Sequence, residues 1–152
     1  MKKIIPIIML VALALTGCQT QNPYAGTYTG TFTFLNYNTT GNLTGNDAKK
    51  GKMQFLTNPL TNGLFLYSVI PLTQVSSTYY VSNSSVLDFA TILLQNIGYT
   101  NSVYNSVSEK IKNVAITAEF SGNSVHAEVQ YEITILGTLN TRLTVVTFDG
   151  VK

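Results

Sequence analysis

Alternation is the clearest pattern in the chain. From Ser124 to Leu136, the side chains of Val125, Ala127, Val129, Tyr131, Ile133 and Ile135 fall on one face, and those of His126, Glu128, Gln130, Glu132 and Thr134 on the other. A period of two with one apolar face predicts a half-buried strand. These 13 residues would span about 44 Å at roughly 3.4 Å each, longer than an ordinary strand, so this one must bend or coil. Gly26–Leu35 repeats the pattern: Tyr28, Phe32 and Phe34 share a face with Gly30, and Thr27, Thr29, Thr31 and Thr33 lie opposite.

The same reading predicts strands at Lys52–Thr57, Leu64–Ile70, Lys112–Phe120 and Thr141–Phe148. Asn36–Lys50 reads as a loop, Asn58–Gly63 as a turn with an Asn62-Gly63 hairpin signal, and Thr78–Ser82 as either a short strand or a loop. Leu64–Ile70 is apolar on both faces, which asks for cover on both sides, and Pro71 should end it. A candidate cover follows. Val86, Phe89, Ala90, Leu93, Leu94 and Ile97 recur at helical spacing behind a Ser85–Asp88 capping box, and Gly98 stands where a helix stops, predicting one helix over 86–97. Thr100–Ser108 is polar and carries no clear period. The expected fold class is mainly β, a curved antiparallel sheet or barrel with one α-helix, in a single domain over 24–152.

The first residues follow a different rule. Lys2 and Lys3 precede an apolar run from Ile4 to Leu15, broken only by Pro6. As a helix this run reaches about 18 Å, short of the roughly 30 Å hydrocarbon core, so it reads as a signal-peptide core. Leu15-Thr16-Gly17-Cys18 then resembles a bacterial lipobox. That resemblance implies a lipoprotein signal peptide over 1–17, cleavage before Cys18, acyl chains on Cys18, and a polar tether over 18–23. Three chains make such an anchor effectively permanent, since each buried CH₂ contributes about 0.8 kcal/mol. Gln19, in place of an Asp, resembles the outer-membrane sorting pattern. The absence of acids from Thr20-Gln21-Asn22-Pro23 points to the periplasmic face.

Gly26, Tyr28, Gly30 and Phe32, just after the tether, resemble the opening "G-x-Y/W-x-G-x-F" strand of the small lipocalin-like (calycin-like) lipoproteins of Bacteroidetes. The resemblance covers about ten residues, the length and the lipobox. It implies a lipocalin-like barrel and no particular activity.

Composition narrows the chemistry. The chain has one Cys, one His, no Trp and only 11% charged residues, which leaves no material for a disulfide scaffold or a Cys/His zinc site. Nine basic residues against seven acidic give +2, but Lys2 and Lys3 belong to the leader, and without them the charge balances. No electrostatic footprint for nucleic acid remains.

Few residues stand out as reactive. His126 lies beside Glu128 on the polar face of its strand, a pairing that suits a general base or a metal ligand but lacks a third partner nearby, so a solvated histidine is the simpler reading. Glu119, Glu128 and Glu132 could converge across a hairpin as catalytic carboxylates, yet all lie on the expected solvent face. Asp47 alone is too little for a calcium loop. Lys49, Lys50 and Lys52 form a small basic cluster at a strand start. Tyr79, Tyr80, Tyr99 and Tyr104 flank the expected helix, where packing is a simpler role than sugar stacking. No catalytic residue, metal or cofactor is expected.

What remains is a membrane-anchored, non-catalytic binding module. Its partner would be a small apolar ligand, a glycan or an envelope protein. An interior cavity lined by Tyr28, Phe32, Phe34, Val129 and Tyr131 would favour an enclosed ligand. A solid core would favour a protein–protein role as an inhibitor or assembly accessory.

Overall fold

The computed structural model describes residues 21–38, 40–61, 63–82, 111–134 and 141–152. The leader, Cys18 and the helix expected over 86–97 lie outside these. Among the described residues there is no helix. Eight strands run in chain order: β1 Gly26–Tyr37, β2 Leu43–Thr57, β3 Leu64–Leu66, β4 Ile70–Gln74, β5 Tyr79–Ser82, β6 Ile111–Ser121, β7 Ser124–Thr134 and β8 Thr141–Val151. Each pairs antiparallel with the next, and β8 pairs with β1, closing a barrel. Of the two arrangements the sequence left open, the barrel forms. It is an antiparallel eight-stranded barrel, compatible with a lipocalin-like fold.

The alternation works as expected wherever one face meets the core. Tyr28, Phe32 and Phe34 of β1, Val114, Ile116, Ala118 and Phe120 of β6, and Val125, Ala127, Val129 and Tyr131 of β7 are buried, as are Val146 and Phe148 of β8. Full burial of an aromatic or aliphatic side chain contributes about 1.5–3 kcal/mol, so these rows dominate the stability.

The walls differ in height. β1, β2, β6, β7 and β8 have 11 to 15 residues, whereas β3, β4 and β5 have 3 to 5. The short strands pair with the tall wall at one end only: β3 meets β2 at Phe55–Thr57, and β5 meets β6 at Ile116–Glu119. We call this end the base. It carries the turns at 58–63, 75–78 and 122–123, the entry of the chain at Asn22–Ala25 and its exit at Lys152. At the far end, β2 residues 43–50 pair only with β1 among the described residues.

Several expected boundaries shift. Asn36–Lys50 is not a loop. β1 continues to Tyr37 and β2 begins at Leu43, around a turn in which the Asn38 side chain accepts hydrogen bonds from the backbone N–H groups of Thr40 and Asn42. Leu64–Ile70 is not one strand. Tyr67 and Ser68 have positive φ (52° and 71°), and the chain reverses there into β4. Leu64, Leu66, Ile70 and Leu72 then all point inward, while Phe65 and Tyr67 are half-buried and Val69 is exposed, so the run expected to be covered on both sides is covered on one among the described residues. Pro71 sits within β4 and does not end it. β4 meets β5 only at Thr73 and Gln74, so neither of those pairings needs the N–H that Pro71 lacks. Tyr79–Ser82 is a strand. β8 runs on to Val151.

Closure at the base depends on glycine. Gly51, Gly30 and Gly150 lie side by side on the inner face of β2, β1 and β8. A Cβ at Gly30 would stand 2.0 Å from the Asp149 carbonyl oxygen and 2.6 Å from the Gly150 Cα. The Phe32 ring lies over Gly51 and the Phe148 ring over Gly150, so the missing side chains are replaced by neighbouring aromatics.

Candidate functional site

The interior of the base is filled with rings. Phe120 is the hub: Tyr24 stacks on it at 4.6 Å between centroids, while Phe55, Tyr80 and Tyr28 meet it at 5.0, 5.6 and 5.8 Å. Phe32 and Phe148 pack at 4.5 Å. Separations of this size are ordinary aromatic contact. Burial pushes the Tyr28 hydroxyl above its usual titration range, with a smaller push from Tyr24. That hydroxyl donates to the Tyr24 carbonyl at 3.0 Å. Tyr80, for which burial was the simpler reading, is buried in this cluster.

Residues 22–25 close the base from below. The Asn22 side chain donates to the Tyr80 hydroxyl at 2.9 Å, and the Asn22 N–H donates to Thr57 Oγ1 at 3.0 Å. Its Oδ1 accepts from the Tyr24 N–H. Lys152 Nζ reaches the Pro23 carbonyl at 3.2 Å. Within the segment read as a polar tether over 18–23, Asn22 and Pro23 are therefore docked on the barrel.

The five candidate ligand residues separate by height. Tyr28 and Phe32 belong to the base. Phe34 and Val129 share one inner row with Val146 between them, and Tyr131 lies one row further toward the far end, beside Thr144. Phe34 and Tyr131 are 8% and 4% exposed, so the candidates contribute to packing. Toward the far end the inner rows turn polar. Thr144, almost fully buried, donates from Oγ1 to Asn36 Oδ1 at 2.9 Å, while Lys49 and Asp47 stand opposite Phe32 and Phe34. Neither Asn36 nor Thr144 was singled out in the sequence. The only signal was a polar residue interrupting an apolar period.

The reactive residues gather on the outer wall. His126 is solvent-exposed, as the simpler reading had it, and its neighbour is not Glu128. Its Nδ1 lies 2.6 Å from Oδ1 of Asp149, the residue directly opposite on β8. Both are open to water, 53% and 70% exposed, and an ion pair in that setting is worth about 0–1 kcal/mol. Glu128 instead accepts from the Gln130 amide, and Glu132 from Asn113, whose positive φ (53°) marks the bulge in β6. The three glutamates do not converge: Glu119 stands opposite His126, Glu128 opposite Thr117, and Glu132 opposite Lys112. Among the described residues, no group of three His, Cys, Asp or Glu side chains is placed to hold a metal ion.

A depression of about 440 Å³ opens on this wall, bordered by Thr29, Glu119, Ser124, His126, Asp149 and Val151. It lies on the convex side of the sheet, with the filled core behind it. Comparison of the chain with protein-family models, with curated proteins and with solved structures finds no match. The case for a lipocalin-like chain therefore rests on the barrel itself.

Proposed function

We propose that the chain is a membrane-anchored bacterial lipoprotein, acylated on Cys18 and held on the periplasmic face of the outer membrane, that acts as a non-catalytic binding module for an envelope component. In its finer form the reading is a small lipocalin-like lipoprotein of the kind found in Bacteroidetes. One observation carries the choice of partner: the base is packed solid by Tyr24, Tyr28, Phe55, Tyr80 and Phe120. A filled base leaves the walls and the far end of the barrel to do the binding, which favours the interaction reading over an apolar ligand enclosed in the base.

The imidazole at His126 fits the non-catalytic part of this reading. The ring and its Asp149 partner stand at the border of the outer depression and are 53% and 70% exposed, so water screens any field they concentrate on a reacting group. A glycan or apolar ligand remains the second reading. It is favoured by the polar inner rows of the far end, where the Asn36–Thr144 hydrogen bond adjoins Tyr131.

Mass spectrometry of the protein extracted in detergent from its own membrane tests both parts. Expected are a chain beginning at Cys18 with three acyl groups and, after cross-linking in cells through a photoreactive residue at Ser124, an adduct with an envelope protein. A free thiol at Cys18 would refute the anchor. A small molecule that co-purifies stoichiometrically, and whose retention is lost on Asn36→Leu, would replace the protein-partner reading with the ligand reading.

A further inference from the structure

We infer that the base of the barrel is a membrane-contact surface: once Cys18 is acylated, the loops carrying Leu60 and Val75 settle into the boundary between headgroups and acyl chains, and the far end of the barrel faces away from the bilayer. This inference rests on the acylated Cys18 proposed above and adds an orientation and a second point of contact to it.

Three independent features of the base point the same way. The first is reach. Asn22 is fixed beneath the barrel by its bonds to Thr57 and Tyr80, and Tyr24 is stacked on Phe120. Only four residue steps separate Cys18 from Asn22, and a fully extended chain covers about 14 Å over that length. A lipid-bearing Cys18 therefore holds the base, and not the far end, within about 14 Å of the membrane.

The second feature is where exposed apolar side chains occur. Among the described residues, the three most exposed large ones are Leu60 at 90%, Val75 at 62% and Val151 at 59%. Leu60 lies in the β2–β3 turn, Val75 in the β4–β5 turn, and Val151 at the end of β8, so all three belong to the base. Two apolar side chains displayed at separate loop tips gain nothing in water, whereas beside an acyl anchor they complete a contact with the bilayer boundary.

The third is charge. The base turns read Asn58-Pro59-Leu60-Thr61-Asn62-Gly63, Val75-Ser76-Ser77-Thr78 and Gly122-Asn123, with no acid and no base. Lys152, after β8, donates from Nζ to the Pro23 carbonyl and is a cation beside these turns. The nearest acids, Glu119 and Asp149, lie on the outer wall two residues before their strands end, about 7 Å up from the base at strand rise. The far half of β2 is different, with Asp47, Lys49 and Lys50 in succession and all exposed. Uncharged turns with the Lys152 ammonium beside them suit the boundary between headgroups and acyl chains, whereas the charged far half of β2 suits water.

The absence of Trp from the chain makes single-tryptophan reporters direct. Leu60→Trp, Val75→Trp and Leu43→Trp, each in the full-length protein processed and acylated in bacteria, would be reconstituted into vesicles of phosphatidylethanolamine and phosphatidylglycerol with brominated acyl chains. Emission from the Leu60→Trp and Val75→Trp proteins should fall at least twofold and shift to the blue relative to unbrominated vesicles, with the Leu43→Trp protein unchanged. All three positions are exposed, so the core is untouched. If the protein is acylated by mass spectrometry and floats with vesicles, yet Leu60→Trp is quenched no more than Leu43→Trp, the orientation is overturned and the anchor stands. If Cys18 carries no lipid, the anchor falls and the membrane contact falls with it.

Discussion

Phe120→Ala is the substitution that most directly probes the packing of the base. The ring of Phe120 is fully buried and meets Tyr24, Phe55, Tyr80 and Tyr28, with centroids 4.6 to 5.8 Å away. Removing a buried Phe side chain costs about 3–5 kcal/mol, and the value within that range depends on how far the surroundings can collapse. Here collapse is resisted. Phe55, Tyr80 and Tyr28 stand on β2, β5 and β1, strands tied into a closed barrel, and of the four rings only Tyr24 lies outside a strand. The expected loss is therefore near the top of the range, about 5 kcal/mol, set against a total of about 5–15 kcal/mol for a domain.

Urea unfolding followed by far-ultraviolet circular dichroism measures this loss as a fall in midpoint at unchanged slope. A loss below about 2 kcal/mol would mean that the rings do not enclose Phe120 as described. Pairing the substitution with Tyr24→Ala extends the test to the closing segment. The stacked Tyr24–Phe120 pair should show a coupling of about 0.5–1.5 kcal/mol. Zero coupling would mean that residues 22–25 do not seal the base, and the argument from tether length would lose its fixed point.

Three further outcomes follow from other parts of the barrel. Gly30→Ala should destabilise by about 3 kcal/mol or prevent folding, because its Cβ meets the β8 backbone; Gly51→Ala, which meets only the edge of the Phe32 ring, should cost less, and the reverse order in urea melts would contradict the close approach of β1 and β8. The raised pKa of Tyr28 means that the folded state holds its proton more tightly than the unfolded chain. That contribution is complete below about pH 10 and is lost as pH rises through the folded value, so melting temperature should drop above about pH 10, and less so in Tyr28→Phe. His126→Asn should change stability by no more than about 1 kcal/mol, and the double substitution with Asp149→Asn should lie within about 1 kcal/mol of the sum of the two single effects; a coupling above about 2 kcal/mol in urea melts would show that water does not screen the pair.

How much of this was legible in the sequence depended on where water lies. β1, β6 and β7 each have one face on the core and one in solvent, so their residues alternate and their faces could be assigned from letters alone. The first half of β2 could not be read this way. Residues 43–50 are mostly exposed on both faces, so no apolar period marks them, and they are a strand only because β1 lies alongside. The run Leu64–Ile70 failed for the opposite reason. Its letters are apolar almost throughout, and the reversal at Tyr67 and Ser68 uses two non-glycine residues at positive φ that announce no turn.

The site residues follow the same logic one level up. A strand pattern reports which face a side chain occupies, but not which residue of another strand lies beside it. His126 was correctly assigned to the solvent face, and its partner was missed because Asp149 is 23 positions away and comes alongside only through the β7–β8 register. Ending β8 at Phe148 hid the pairing altogether. Leu60 and Val75 are the stronger case. Each reads in sequence as ordinary loop filler, in turns separated from one another and from Cys18. Antiparallel closure with even strand count is what sends both turns, the chain entry and the chain exit to one end. The strand count therefore fixes which end of the molecule an anchored Cys18 must hold. If Leu60 or Val75 had fallen in a turn at the other end, the same lipid would hold them in water.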